Sequence, residues 1–237
     1  MMLRDDLKVI AQRIPYQSRV LDLGCGDGSL VNWLELKKEC KCYGVEISSD
    51  KVLQCVEKKV NVIQADIEEG LSILDNNKFD VVVLSQALQA TLKTEIVLKK
   101  ISELGHTVIV SIPNFGYWTH VLDLLLGRMP VNDRLPFQWY DTPNLHFATI
   151  KDFESLLRKL NFKKMKAFYL RESKTSSIKK ITFLPSLRCT TAIYQFSRSN
   201  ELFQNDTEKN TKIVNSSSLP KSITTDNIES CTSFKIP

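Results

Sequence analysis

The sequence predicts an α/β fold in which a mostly parallel sheet is covered by helices on both faces. Short runs rich in valine, isoleucine and leucine alternate with amphipathic stretches of helical length, a pattern typical of such sheets. The apolar runs are continuous, which indicates strands buried on both faces. A turn with three glycines, residues 24–28, follows the first run at the place where open α/β sheets bind ligands.

The predicted elements follow one another in the order that this fold requires. The strands of the parallel part are residues 19–23, 42–47, 60–65, 79–85 and 106–112. The helices are residues 29–38, 50–58, 88–104, 117–126 and 150–160, the last opened by Thr149 with Asp152 three residues on. Two late apolar runs, residues 164–170 and 191–196, predict an antiparallel pair at one edge of the sheet.

The length and composition predict one domain and a polar tail. With 237 residues, of which 43% are hydrophobic, the chain is long enough for one sizeable core. We expect that core in residues 1–196. Residues 197–237 are rich in Ser, Thr, Asn, Asp and Lys, and we expect a disordered tail because such a segment buries too little apolar surface to offset the entropy of ordering it.

Other features of the composition bear on location. No run of about eighteen apolar residues occurs, and residues 1–14 mix charged and apolar residues at helical spacing, unlike a signal peptide. Six cysteines are scattered without the spacing of a zinc site, so we expect reduced thiols and no metal. Together these features predict a cytoplasmic protein.

The glycine turn suggests a ligand without naming it. Gly24, Gly26 and Gly28 form a G-x-G-x-G pattern, and Ser29 stands where the dinucleotide fingerprint has its third glycine. Nicotinamide dinucleotides are therefore disfavoured. Glycines here allow a sharp turn and close approach of a ligand, but a plain strand-to-helix turn explains the pattern equally well.

Three acidic residues at successive predicted strand ends favour a nucleoside with a positive group. Glu46 ends the second strand, eighteen positions after Gly28, where a carboxylate can accept two hydrogen bonds from a ribose diol. Asp66 ends the third strand, where it can accept from an exocyclic adenine amine. Asp22 precedes the turn and places negative charge near it. Each acid alone is more often a solvated strand end or a helix cap.

These residues carry a resemblance to a known superfamily. "VLDLGCGDG" (residues 20–28), Glu46, "QADI" (64–67) and "FDVVVLSQAL" (79–88) resemble the nucleoside-binding half of the class I S-adenosylmethionine-dependent methyltransferases. The resemblance implies a Rossmann-like, seven-stranded sheet with the last strand antiparallel, and S-adenosyl-L-methionine as cofactor. The cofactor-binding residues that it implies are Asp22, Gly24, Cys25, Gly26, Gly28, Glu46, Ile47, Asp66, Ile67 and Ser85.

A closer resemblance is to one family, the methionine biosynthesis protein MetW, over residues 3–196. It is carried by "KVNVIQADIEEGL", "VSIPNFGYW", "GRMPV", "LPFQWYDTPNLHFATIKDFE" and "FLPSL", of which the "WYDTPNLH" block is the most specific. One departure is Lys59, where the family pattern has a glycine. The resemblance implies a role in methionine biosynthesis and a homoserine O-acyltransferase of MetX type as partner.

The sequence leaves the catalytic residues unknown. "LSQALQA" (residues 84–90) lacks the Asn-Pro-Pro motif of amino-group methyltransferases, and this argues against a nucleobase or glutamine acceptor. His146 and Tyr140 are the candidates for chemistry, although a lone histidine is more often structural. Tyr117, Trp118 and Trp139 could wall an acceptor site or a partner groove.

Three functions remain open. The first is an accessory protein that binds S-adenosylmethionine and supports a homoserine O-acyltransferase, with methyl transfer weak or absent. The second is an active small-molecule methyltransferase. The third, an RNA methyltransferase, rests on ten basic against three acidic residues between positions 151 and 180, but such a run is usually a solvated surface and no RNA-binding module accompanies it.

Overall fold

One sheet forms the centre of the computed structural model, which describes residues 3–74, 79–132, 135–171 and 179–198. Within these ranges its strands are β1 (Arg19–Leu23), β2 (Lys41–Glu46), β3 (Val62–Gln64), β4 (Phe79–Ser85), β5 (Gly105–Pro113), β6 (Phe162–Arg171), β7 (Lys179–Lys180) and β8 (Thr191–Arg198). Their order in the sheet is β3-β2-β1-β4-β5-β8-β6-β7.

The strand directions confirm the predicted mostly parallel sheet. Strands β1 to β5 pair in parallel, and β8 runs antiparallel to both β5 and β6. The late pair was therefore predicted correctly, but the two residues of β7 add a further short strand outside β6. Strand β8 continues through Arg198, two residues beyond the predicted end of the domain. The predicted tail from residue 199 onward lies outside the described residues.

Helices connect the strands. They are α1 (Asp5–Arg13), α2 (Ser29–Lys38), α3 (Ser49–Glu57), α4 (Ile67–Ile73), α5 (Thr94–Leu104), α6 (Trp118–Leu125), α7 (Ile150–Lys159) and α8 (Pro185–Arg188), with a short 3-10 helix at Leu88–Ala90. The start of α7 is the predicted capping box, in which Thr149 and Asp152 each bond the other's backbone.

The prediction of the helices needs correction at residues 88–104 and at α4. Residues 88–104 are not one helix, because the Thr91 hydroxyl donates to the Leu88 carbonyl and closes the first turn before α5 begins. Helix α4 was not predicted. Its sequence is short and includes Gly70, a poor helix former, and the structure uses that glycine for close packing, since a Cβ there would lie 3.3 Å from Val45.

The core lies on both faces of the sheet. Val82 and Leu84 of β4 belong to the cluster that α4, α5 and α7 cover, whereas Val81 and Val83 belong to the cluster that α1, α2 and α3 cover. This alternation explains why the strands are continuously apolar. No helix in the described ranges is long and apolar enough to cross a membrane.

Candidate cofactor site

The carboxyl ends of four neighbouring strands form the candidate site. Strands β3, β2, β1 and β4 are adjacent and parallel, so the residues that follow them meet at one edge of the sheet. The predicted cofactor residues lie at these ends: Asp22, Gly24, Cys25, Gly26 and Gly28 at β1, Glu46 and Ile47 at β2, Asp66 and Ile67 after β3, and Ser85 at β4.

The three glycines of the turn have different roles. All three have φ between 60° and 72°, the left-handed region that favours glycine. A Cβ at Gly24 would lie 2.8 Å from the Ala87 Cβ, and one at Gly28 would lie 2.9 Å from the Cys55 sulfur. A Cβ at Gly26 would meet no atom of the described residues within 4 Å. Packing therefore requires Gly24 and Gly28, while Gly26 borders open space that a ligand could enter.

Glu46 holds the turn against the end of β2. Its buried carboxylate accepts at Oε2 from the backbone N–H of Gly26 at 2.8 Å. Its Oε1 accepts from the N–H groups of Ile47 at 3.1 Å and Ser48 at 3.0 Å. A carboxylate has about four acceptor positions, so about one remains. The expectation of two ribose hydrogen bonds is thus reduced to one in this arrangement.

Asp22 is a buried acid of the site whose pKa is raised. Its side chain is buried, and its Oδ1 has no hydrogen-bond partner among the described residues. Burial raises the pKa of Asp22 to about 7; the Arg4 guanidinium acts in the opposite direction, and the Glu46 carboxylate adds to the rise. A buried acceptor that lacks a partner is costly, and a cationic donor in contact with it would remove that cost.

The adenine-side candidates are less tightly held. Asp66 is half-buried and caps α4, since its Oδ1 accepts from the Glu68 N–H at 2.7 Å. Ile67 lies beside the turn, with its Cδ1 3.6 Å from the position of a Cβ on Gly24. Ile47 is exposed and apolar. The edge therefore offers apolar surface together with the remaining oxygen of Asp66.

A second anchor fixes the other half of the turn. The Lys58 ammonium donates to Asp27 Oδ2 at 2.6 Å and to the Asp27 carbonyl at 2.7 Å. The Ser29 hydroxyl donates to Asp27 Oδ2 at 2.5 Å. Burial raises the pKa of Asp27, but the bonds from Lys58 and Ser29 outweigh it and hold that pKa below its ordinary value. The charged Asp27 therefore ties the turn to the end of α3.

Cys25 contributes packing to the site. Its sulfur is buried 4.0 Å from that of Cys55, and a Cβ on Gly44 would lie only 2.5 Å from it. Burial raises the pKa of the Cys25 thiol, followed in effect by the Asp22 carboxylate. A thiol that stays protonated is a poor nucleophile, so the Cys25 side chain serves packing.

A cluster of polar side chains at the end of β4 was not predicted from the sequence. Arg4 pairs with the buried Asp6 of α1, with Nε and Oδ1 2.6 Å apart. The Gln86 amide donates to Asp6 at 3.0 Å, and Arg4 donates to the Ser85 hydroxyl at 3.4 Å. About eighty residues separate Asp6 from Gln86, and Arg4 from Ser85, along the chain, and no local pattern joins them.

A cavity of about 710 Å³ opens beside this cluster. It lies between the ends of β4 and β5 and helix α7, and both Arg4 and Gln86 line it. His146 lines it too, and its backbone N–H donates to the Gln89 carbonyl at 3.0 Å. Tyr140 is 71% exposed, packs edge-on against Trp139 and is not among the described residues that line the cavity.

One protein family matches most of this chain. The family described as methionine biosynthesis protein MetW matches residues 4–196. The chain belongs to the MetW family. The matched range includes the glycine turn, the acidic residues of the site and the described residues that line the cavity.

A curated MetW relative is longer than this chain. The bifunctional methionine biosynthesis protein MetXA/MetW of Rhodopirellula baltica is 31% identical over 206 residues. The match covers 82% of this chain but 33% of the relative, so the chain spans about a third of the length of the curated relative it matches.

Solved structures share the fold of this MetW protein. A methyltransferase of Thermotoga maritima, described as S-adenosylmethionine-dependent and possibly a histamine N-methyltransferase, has a TM-score of 0.61 at 17% identity, covering 82% of this chain and 87% of its own. An S-adenosylmethionine-dependent methyltransferase of Mesorhizobium loti has a TM-score of 0.59 at 17% identity, covering 81% and 96%. These similarities confirm the predicted class I methyltransferase fold.

Proposed function

We propose that this MetW-family protein binds S-adenosyl-L-methionine at the carboxyl edge of its sheet and supports a homoserine O-acyltransferase in methionine biosynthesis. The observation that carries the cofactor part is Asp22: a buried carboxylate oxygen without a partner in the described chain stands two residues before a turn that opens to space at Gly26. That combination fits a ligand with a cationic group.

The roles of the residues follow from their chemistry. Asp22 would accept from the amino group of the methionine part, and the glycine turn would surround that part. Glu46 would accept from one ribose hydroxyl with its remaining position, since three backbone N–H groups use the others. Asp66 would accept from the adenine amine. The bound cofactor would supply a methyl group, carried on a positively charged sulfur, and a nucleophile can accept that methyl group.

Support for the partner comes from the relative in Rhodopirellula baltica. Its name joins MetXA and MetW in one bifunctional protein. Proteins that occur fused in one chain are held at high effective concentration, which suits two components that act together. For this shorter chain we propose the same association between separate proteins. The proposal includes a cytosolic location, which five free cysteines in the described residues support.

A second candidate function has its own supporting observation. The cavity of about 710 Å³ begins at the end of β4, next to the proposed cofactor edge, and His146 lines it. Cavities of about 300 to 1,000 Å³ hold small molecules, so an active small-molecule methyltransferase is the alternative. Release of S-adenosylhomocysteine on adding candidate acids and thiols would favour it.

Calorimetric titration with S-adenosylmethionine tests the cofactor proposal. Asp22→Asn keeps the shape of the side chain but removes the charge, so we expect roughly tenfold weaker binding or more. Asp141→Asn is the matched control, because Asp141 is exposed and distant in sequence from the edge. Equal affinities for all three proteins would remove Asp22 from the site.

A further inference from the structure

Helix α6 exposes apolar side chains and buries a histidine. Trp118, Leu122 and Leu125 are spaced i, i+4 and i+7, so they form one stripe, and all three are exposed, Leu125 by 77%. His120, on the opposite side of the helix, is buried against the rings of Phe115 and Tyr117. Surface helices usually bury their apolar stripe and expose their polar side chains. Helix α6 has the opposite arrangement.

Two segments packed near the start of α6 also expose apolar side chains. The connection after α6, described at residues 127–132 and 135–149, exposes Phe137, Trp139 and Phe147. The Phe147 ring packs 4.7 Å from Phe115, just before α6. Three of the described residues there, Met129, Phe137 and Trp139, line a shallow depression together with Phe147.

Helix α8 lies against the turn at residues 114–117, just before α6. The Asn114 amide donates to the carbonyls of Ser186 and Cys189, both at 2.9 Å. A Cβ on Gly116 would lie 3.2 Å from the Ser186 carbonyl oxygen, so the two backbones are in close contact. Leu187 and the preceding Phe183 are exposed. We call these three segments the α6 face: helix α6, the described connection after it, and residues 183–188.

We propose that the α6 face is the surface on which the homoserine O-acyltransferase docks; this inference rests on the proposed function. The face is rich in Trp, Tyr, Phe and Met, which are enriched at interfaces, and helix α6 itself is poor in charge. Between residues 117 and 127, Asp123 is the single Asp, Glu, Lys or Arg. Exposed apolar patches on soluble proteins mark interaction sites when they are large.

The choice of partner rests on the fused relative. In Rhodopirellula baltica the region that matches this chain is a third of a protein named for both MetXA and MetW. The surface that meets the other part of such a protein is expected to be apolar, because fusion partners stay together. The α6 face also borders the cavity, since its residues Leu135 and Phe147 line it. A partner seated there would contact the rim of the site.

Binding to the homoserine O-acyltransferase of the same organism tests the α6 face. Leu125→Lys places a charge on an exposed side chain in the last turn of α6, where a cation is compatible with the helix. Leu36→Lys is the matched control, because Leu36 is 72% exposed in the last turn of α2. We expect at least about tenfold weaker binding for Leu125→Lys and a change within about twofold for Leu36→Lys. Trp139→Ser, in a second segment, should also weaken binding.

The outcomes separate this inference from the proposed function. If the wild-type protein fails to bind the acyltransferase, both the partnership and the docking surface are wrong. If the wild-type protein binds and both α6-face variants bind equally well, the surface alone is wrong and the partnership stands. If sedimentation shows that the protein alone self-associates and that Leu125→Lys makes it monomeric, the face binds a second copy and the inference is overturned.

Discussion

The carboxylate of Glu46 accepts a 2.8 Å hydrogen bond from the backbone N–H of Gly26, and so joins the end of β2 to the glycine turn after β1. The same carboxylate accepts from the N–H groups of Ile47 and Ser48. Glu46 is therefore a support of the turn as well as a proposed ribose ligand. Loss of its side chain should therefore change both the stability of the free protein and its affinity for the cofactor.

Replacement of Glu46 by alanine should reduce both stability and cofactor affinity. Three backbone N–H groups lose their acceptor, so the unfolding free energy should fall by about 1 to 3 kcal/mol. The dissociation constant for S-adenosylmethionine should rise roughly thirtyfold or more. Denaturant unfolding and calorimetry measure the two effects, with the exposed Glu57→Ala as control. An unchanged dissociation constant would exclude Glu46 from the site.

Cofactor affinity should depend on pH through Asp22. Burial raises the pKa of Asp22 to about 7 in the ligand-free protein, so below that pH the carboxyl is protonated and must release its proton before it can pair with a cation. Affinity should therefore fall roughly tenfold between about pH 7 and pH 5.5, a range below the pKa of the ligand's amino group. Asp22→Asn should be nearly flat over this range. A wild-type profile equally flat would contradict the assignment.

A glycine at position 59 should stabilise the protein. Lys59 is exposed and has a φ of 59°, in the left-handed region, at the position where we expect a glycine from the sequence resemblance. Lys59→Gly should raise the unfolding free energy by about 0.5 to 1 kcal/mol, because relief of strain exceeds the added entropy of the unfolded chain. Lys99→Gly, exposed in the middle of α5, should lower it by about 1 kcal/mol. Thermal unfolding of both variants checks the opposite signs.

The parts of the fold that depend on local patterns were predictable. Strands β1 and β4 and helix α2 have the predicted bounds, because continuous apolar runs and glycines mark their ends. The two-residue β7 was not predictable, since it exists only through pairing with Leu170 and Arg171. Helix α4 was missed because its glycine serves a tertiary contact that the sequence does not reveal.

The candidate site also has a part that could be predicted from the sequence and a part that could not. The positions of Asp22, Glu46 and Asp66 at one edge follow from strand order alone, as parallel strands bring their carboxyl ends together. How the acids are used depends on loop geometry. The bond from the Gly26 N–H to Glu46 and the bond from Gln86 to Asp6 beside β4 join residues that are far apart in the sequence, and no spacing rule contains them.

The most direct test of the account is the affinity of this protein for S-adenosylmethionine, measured with and without saturating homoserine O-acyltransferase. The α6 face borders the cavity that begins at the proposed cofactor edge, so we expect the partner to change cofactor affinity by about 5- to 150-fold, as is common for linked sites. By linkage, the cofactor must change partner affinity by the same factor. Two dissociation constants that agree within error would contradict the account, even if the complex forms.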